Sequence, residues 1–171
     1  MLEYAKKHEL KLKELYWDIA FNPFYQFMDF ASTREDYKVP EDTYRQHDFI
    51  SIWENKIIGH IYYNINRIPN AVDSFVCVHF GDKHSYVFAK DLLTAVKDIF
   101  EKYKFNKLCF CVVIGNPVEK TYDKLVKKHG GRIVGVWKQD RKLLDGNLYD
   151  VKCYEILAED YFNTIKNHEK I

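Results

Sequence analysis

Apolar and polar residues recur with two different periods along this chain, and the changeover falls near residue 49. In residues 2–20, Leu2, Ala5, Leu12, Tyr16 and Ile19 fall on one face of a helix. Leu10 and Leu12 also alternate, so a short strand at 9–13 competes with the helix, which is the reading adopted. Asn22-Pro23 then restarts a helix, because Asn caps well and Pro is tolerated at the first helical position. Phe24, Phe27, Met28 and Ala31 are expected to face inward. The polar run STREDYKVPED predicts a loop, with a short helix opening at Pro40. From Phe49 the period falls to two. FISIW, the triplet ENK and IIGHIYYNI predict a two-strand hairpin. After a turn at Pro69-Asn70, AVDSFVCVHF predicts a third strand.

Helical spacing returns from Val87 to Tyr103, where Leu92, Leu93, Val96, Ile99, Phe100 and Tyr103 form one stripe. KLCFCVVI carries no charge after its first residue, so it predicts a strand buried on both faces. Asn116-Pro117 opens another helix, which runs to about His129 and ends at Gly130-Gly131. RIVGVWK and LYDVKCYEI predict two last strands around a turn at Asp145-Gly146-Asn147, and the tail from Ala158 is helical. The strands before and after the long helix are expected to be parallel neighbours, because that crossover is a βαβ unit. The pattern predicts an α/β or α+β fold with a mixed sheet of about six strands.

Composition narrows the classes. The chain has 171 residues, the length of one domain, and 47% apolar residues suffice for a sizeable core. Its 26 basic and 25 acidic side chains leave a formal charge of +1, which argues against a nucleic-acid binder. Lys124, Lys127 and Lys128 read as a solvated helix face. The charged N-terminus lacks the apolar stretch of a signal peptide, and no apolar run is long enough to cross a bilayer. A cytoplasmic protein without a membrane partner is therefore expected. Cys77, Cys109, Cys111 and Cys153 lie in strand-like segments without metal-site spacing, so reduced, buried thiols and no metal are expected.

The stretch FGDKHSYVFAKDLL sets a strand, a turn and a helix in succession. Many proteins hold a phosphate at such a place, usually on two or three glycines, whereas this turn has only Gly81. Backbone N–H groups and the positive end of the helix dipole hold the anion, so glycine eases the approach without being the donor.

Four segments, taken in order, resemble the GNAT superfamily of acyl-coenzyme A-dependent N-acetyltransferases. The hairpin FISIWENKIIGHIYY has Gly59 where the family often has Gly. The segment VHFGDKHSYVFAKDLLTAVKDIFEKYKFNKLCF is similar to the family's cofactor motif. GNPVEKTYDKLVKKHGGRIVGVWK and LLDGNLYDVKCYEI resemble the motifs that follow it. The likeness covers about residues 49 to 157. Three features depart from it. Lys83, Tyr86 and Phe88 occupy the family's basic residue and two glycine positions. Asn116 to Tyr122 is one residue short of the commonest spacing. The family's first strand is not evident.

The resemblance implies a single domain, 1–171. It has a helical N-terminal part (1–47), an acyl-CoA-binding core (49–157) and a C-terminal tail (158–171). The sheet would be mainly antiparallel, with six strands, a central parallel pair and helices on both faces. The implied reaction is direct attack of a primary amine, on a small molecule or a protein, upon the thioester of acetyl-CoA. The chain would act as a monomer or homodimer. Val78 to Phe80 would supply backbone donors to the thioester carbonyl. Lys83, His84, Ser85, Tyr86, Val87 and Phe88 would receive the pyrophosphate, with Asn116 on the pantetheine. Tyr122 is the candidate acid for the leaving sulfur. His79, near a strand end and titrating in the right range, is the candidate base, with Asp73 and a water chain as alternatives. His60 and Tyr62 are acceptor-side candidates, and the aromatic N-terminal half (Trp17, Phe21, Phe24, Tyr25, Phe27) is a candidate wall. The rival reading is a GNAT-fold binding domain that has lost turnover, and the aromatics in the turn favour it.

Overall fold

The computed structural model describes residues 1–20, 22–28, 38–81 and 83–168. In chain order its elements are β1 (Leu2–Tyr4), α1 (Glu9–Ile19), β2 (Gln46–Trp53), β3 (Lys56–Asn66), β4 (Ala71–His79), α2 (Ser85–Glu101), β5 (Lys107–Val113), α3 (Glu119–Lys128), β6 (Arg132–Lys142), β7 (Leu148–Leu157) and α4 (Ala158–His168). The strands form one sheet in the order β1-β2-β3-β4-β5-β7-β6. The pairs β1/β2, β5/β7 and β6/β7 are antiparallel, and β4/β5 is the parallel pair expected around the long helix. Seven strands replace the expected six, and β1 is the addition. The chain divides into two compact units, Met1–Tyr63 with Val76–Ala95 and Asn64–Phe75 with Val96–Ile171.

In the first unit, residues 2–4 pair with β2 in the register Leu2↔Ser51, Glu3↔Ile50, Tyr4↔Phe49. Ala5–His8 form a 3₁₀ turn, so the expected helix is confined to Glu9–Ile19. No strand forms at 9–13. A three-residue strand has no period of its own and exists only through its pairing with β2. Ala5, Leu12, Val39 and Ile50 make a buried cluster, against which Tyr16, Ile52, Ile57 and Phe80 pack.

Asn22 does cap, since its side-chain oxygen accepts from the Phe24 N–H at 3.0 Å. The segment nevertheless closes after one 3₁₀ turn, Pro23–Tyr25. Phe24 points outward and Tyr25 is buried with Ile19 and Val78, reversing the expected facing. A single 3₁₀ turn buries one side chain where an α-helix would bury a stripe. Met28 packs against the same cluster, and Ala31 and Phe21 lie outside the described residues. No helix begins at Pro40; residues 40–45 are irregular, with bends at 41 and 43–45. The β2–β3 hairpin turns on Glu54 and Asn55, both with left-handed φ (47° and 63°), the two-residue loop that matches strand twist.

In the second unit, β5 lies against β7 with Cys111 opposite Cys153. Leu108, Phe110 and Val112 are buried, but Cys111 is exposed, so β5 is fully covered on one face only. Its cysteines are small and apolar, which made a half-covered strand read as wholly buried. None of the four cysteines is in a disulfide; Cys153 alone is buried, and Cys77 and Cys109 are half-buried. The helix opened by Asn116-Pro117 starts at Glu119 and ends as expected. Gly130 takes φ 72°, and the Gly131 N–H returns to the Val126 carbonyl at 2.8 Å. The tail forms α4, whose Tyr161 ring stacks on Phe100 and His129.

Candidate active site

The first unit holds the turn between β4 and α2. Gly81 and His84 both adopt left-handed φ, 91° and 61°. One of the turn's two described left-handed positions is thus filled by a histidine, where such φ costs about 1–2 kcal/mol relative to glycine. Helix α2 begins at Ser85, two residues before the sequence-based start. The N–H groups of Val87 and Phe88 donate to the His84 carbonyl at 3.0 and 3.2 Å. The N–H groups of Ser85 and Tyr86 precede any carbonyl of the helix that could receive them.

The two aromatics in the glycine positions part company. Phe88 is buried, its ring lying over Gly59, while Tyr86 is 69% exposed. Lys83 and Ser85 are exposed as well. The His79 ring stacks on Phe88 at 5.2 Å, and its Nε2 lies 3.0 Å from the Lys83 carbonyl. A carbonyl only accepts, so Nε2 carries the hydrogen. Tyr25 braces the same strand end: its hydroxyl donates to the His79 carbonyl at 3.1 Å and accepts from the Gly81 N–H at 2.7 Å. Of the backbone donors expected at Val78 to Phe80, the Phe80 N–H is committed to the Ile58 carbonyl at 2.9 Å.

The same unit contains a polar chain that pattern reading passed over. Asp48 precedes the expected strand start and lies inside β2, buried beside the buried His60 of β3. His60 Nε2 bonds Asp48 Oδ1, and Gln46 Nε2 donates to Asp48 Oδ2. On its other side, His60 Nδ1 meets the Tyr16 hydroxyl of α1 at 2.6 Å. A buried imidazole carries a carboxylate partner only at a considerable desolvation cost. The sequence signal was an acid and a histidine at β2 and β3 positions otherwise filled by apolar residues.

Asn116 and Tyr122 belong to the second unit. The Asn116 side chain accepts from the Val118 N–H at 3.0 Å, so it caps the turn that leads into α3. Tyr122 is buried, its ring edge-on to Phe110 and Tyr154 at 5.1 and 6.3 Å. The next residue, Asp123, accepts from the Tyr154 hydroxyl at 2.8 Å and from Lys152 at 3.2 Å, and Lys152 also pairs with Glu119. The Tyr154 bond and then Lys152 hold the Asp123 carboxyl below its ordinary range. Burial, then Asp123, pushes the Tyr154 phenol above its own. Among the described residues no three His, Cys, Asp or Glu side chains gather as a metal site. No described helix is long and apolar enough to cross a membrane.

No family model matches the sequence, and no curated protein does either. Solved structures match throughout. A chimera of the spermidine N-acetyltransferase SpeG from Vibrio cholerae with hSSAT shares 20% identity. The match covers 95% of this chain and 98% of that one, with a TM-score of 0.72. An acetyltransferase that modifies the N-terminal serine of a 50S ribosomal subunit protein from Salmonella typhimurium shares 14% identity. It covers 91% of this chain and 93% of that one at 0.68. A probable acetyltransferase shares 13% identity over 94% and 93% at 0.72. The chain therefore has the GNAT fold.

Proposed function

We propose that this chain is an N-acetyltransferase that moves an acetyl group from acetyl-CoA to a primary amine by direct attack. The carrying observation is the turn into α2. It keeps the strand–turn–helix form of a phosphate site although Tyr86 and Phe88 stand where the family has glycine. Phe88 is turned into the core over Gly59 and Tyr86 is turned out to solvent. The Ser85 and Tyr86 N–H groups are thereby left at the positive end of a 17-residue helix.

In this reading those two groups, with Lys83 and His84, receive the pyrophosphate. His79 positions the turn through its bond to the Lys83 carbonyl, and it stays one candidate for the acceptor's proton. Val78 and His79 supply the backbone donors to the thioester carbonyl. Asn116 contacts the pantetheine, and Tyr122 protonates the sulfur as the thiolate leaves. Acetyl-CoA would be a co-substrate, with no metal in the chemistry. Because the solved structures of this fold include enzymes for spermidine and for a protein N-terminus, both small and protein amines belong in the acceptor class.

The test is release of free coenzyme A from acetyl-CoA in the presence of a panel of amines, including spermidine and a peptide with an N-terminal serine. Amine-dependent release, with acetylated product by mass spectrometry, supports the proposal. Tight binding of acetyl-CoA with no transfer to any of them would instead mark a binding domain that has kept the cofactor site.

A further inference from the structure

The Tyr16–His60–Asp48 chain has a fixed polarity. A carboxylate only accepts, so the His60 Nε2 that bonds Asp48 carries the ring hydrogen. In the neutral ring Nδ1 is then the bare nitrogen, and the Tyr16 hydroxyl at 2.6 Å donates to it. His60 and Asp48 are 1% and 6% exposed, so the imidazole is sealed from water, and Tyr16, whose hydroxyl it bonds, is only partly buried. The Tyr16 ring sits edge-on to Phe80 at 5.5 Å, directly after the end of β4. Three elements meet there: α1 supplies the hydroxyl, β3 the imidazole and β2 the carboxylate.

We propose that Tyr16, backed by His60 and Asp48, takes the proton from the incoming ammonium. This rests on the acetyltransferase reading above. An N–H bond of the ammonium breaks and its proton goes to Tyr16 Oη, while the Tyr16 proton moves to His60 Nδ1. The products are a neutral amine and an imidazolium held by the Asp48 carboxylate. The amine lone pair forms the N–C bond at the thioester carbon, and the C–S bond breaks with its electrons on sulfur. The nitrogen's second proton ends on that thiolate, by way of Tyr122. The imidazolium returns its proton to water after the product leaves. Tyr16 is the group that touches substrate, whereas His60 and Asp48 act through it as positioning residues. Among the described residues, the charged and titratable groups facing His60 include Asp48 of β2, Tyr16 of α1 and Tyr62 of its own strand, whose ring lies 5.0 Å away.

The chain is tested with three proteins and the panel amine that the wild type acetylates fastest. Tyr16→Phe removes one hydroxyl and keeps the ring on Phe80. Asp48→Asn keeps a hydrogen-bonding side chain but allows the amide to donate, which stabilises the wrong His60 tautomer. Each is expected to lower kcat/KM on the order of a hundredfold near neutral pH, to flatten the acidic limb of the pH–rate profile and to leave acetyl-CoA affinity unchanged. Nitrogen-15 spectra of the histidine rings should show the Nε2–H tautomer for His60 in the wild type and its loss in Asp48→Asn. If Asp48→Asn does not fold, Tyr16→Phe decides alone. A wild type that transfers acetyl while Tyr16→Phe matches it across the pH range overturns this inference and spares the acetyltransferase reading. A wild type that transfers to no amine overturns both.

Discussion

A side-chain carbon placed on Gly59 would lie 2.2 Å from Cε2 of Phe88 and 2.9 Å from the Val78 carbonyl. The glycine missing from the phosphate turn is thus matched by a glycine kept on β3, and the bulky ring at position 88 is stored above it. Gly59→Ala is expected to cost roughly 1–3 kcal/mol through overpacking, read as a lower urea midpoint at unchanged slope. It should also weaken acetyl-CoA binding, because the ring can relax only by shifting the start of α2. Adding Phe88→Leu should recover most of the lost stability. If the two substitutions are simply additive, the packing relationship is wrong.

The donors at the turn are backbone groups, so side chains there should matter unequally. Tyr86→Ala is expected to leave acetyl-CoA affinity within about twofold, because that ring is solvent-exposed and the N–H stays in place. Lys83→Glu should weaken it about tenfold at low ionic strength and less in high salt, as an exposed charge does. Titrations of both variants at two salt concentrations check this. Equal losses in both would move the phosphate site away from α2.

Tyr122→Phe should lower turnover at least about tenfold with little change in acetyl-CoA affinity, since only the proton donor is lost. The ring contacts with Phe110 and Tyr154 do not depend on the hydroxyl, so the packing around the ring should persist. An unchanged rate would remove Tyr122 from the mechanism.

Cys111 and Cys153 face each other across β5 and β7 with their sulfurs 3.0 Å apart. Although Cys111 is exposed at the sheet surface, partial loss of water around its sulfur first, and then Cys153, pushes the thiol up to about 12. An ordinary thiol titrates near about 8.5, so the unfolded chain ionises first. Any stability tied to this thiol is therefore intact below that pH and is lost as pH climbs from there towards about 12. Iodoacetamide labelling of Cys111 in the folded protein should be slow at pH 8 and should keep accelerating through pH 10, whereas the unfolded chain should label at the ordinary rate. A folded-state plateau just above pH 8.5 would contradict the assignment.

Elements with their own period were legible in the sequence. α2, the β2–β3 hairpin, α3 with its Gly130-Gly131 end and the tail helix all form where the spacing put them, within a few residues. β1 was not legible, because three residues carry no period and the strand is defined by partners almost fifty positions away. Tyr25 and Phe24 exchanged roles because a 3₁₀ turn faces its residues differently from an α-helix. At the site, the turn and its residues could be read from order and spacing. The tie from His79 to Lys83 and the Tyr16–His60–Asp48 chain could not, since each depends on residues that only folding brings together.

The central claim is that the turn between β4 and α2 still holds coenzyme A with Tyr86 and Phe88 in the family's glycine positions. Calorimetric titration of the purified protein with acetyl-CoA tests it most directly, with desulfo-CoA and ATP as controls. The account predicts a single site in the micromolar range, similar affinity for desulfo-CoA and much weaker binding of ATP. No heat of binding with acetyl-CoA up to about 1 mM would mean that the aromatics have closed the site, and the fold would then serve some other partner.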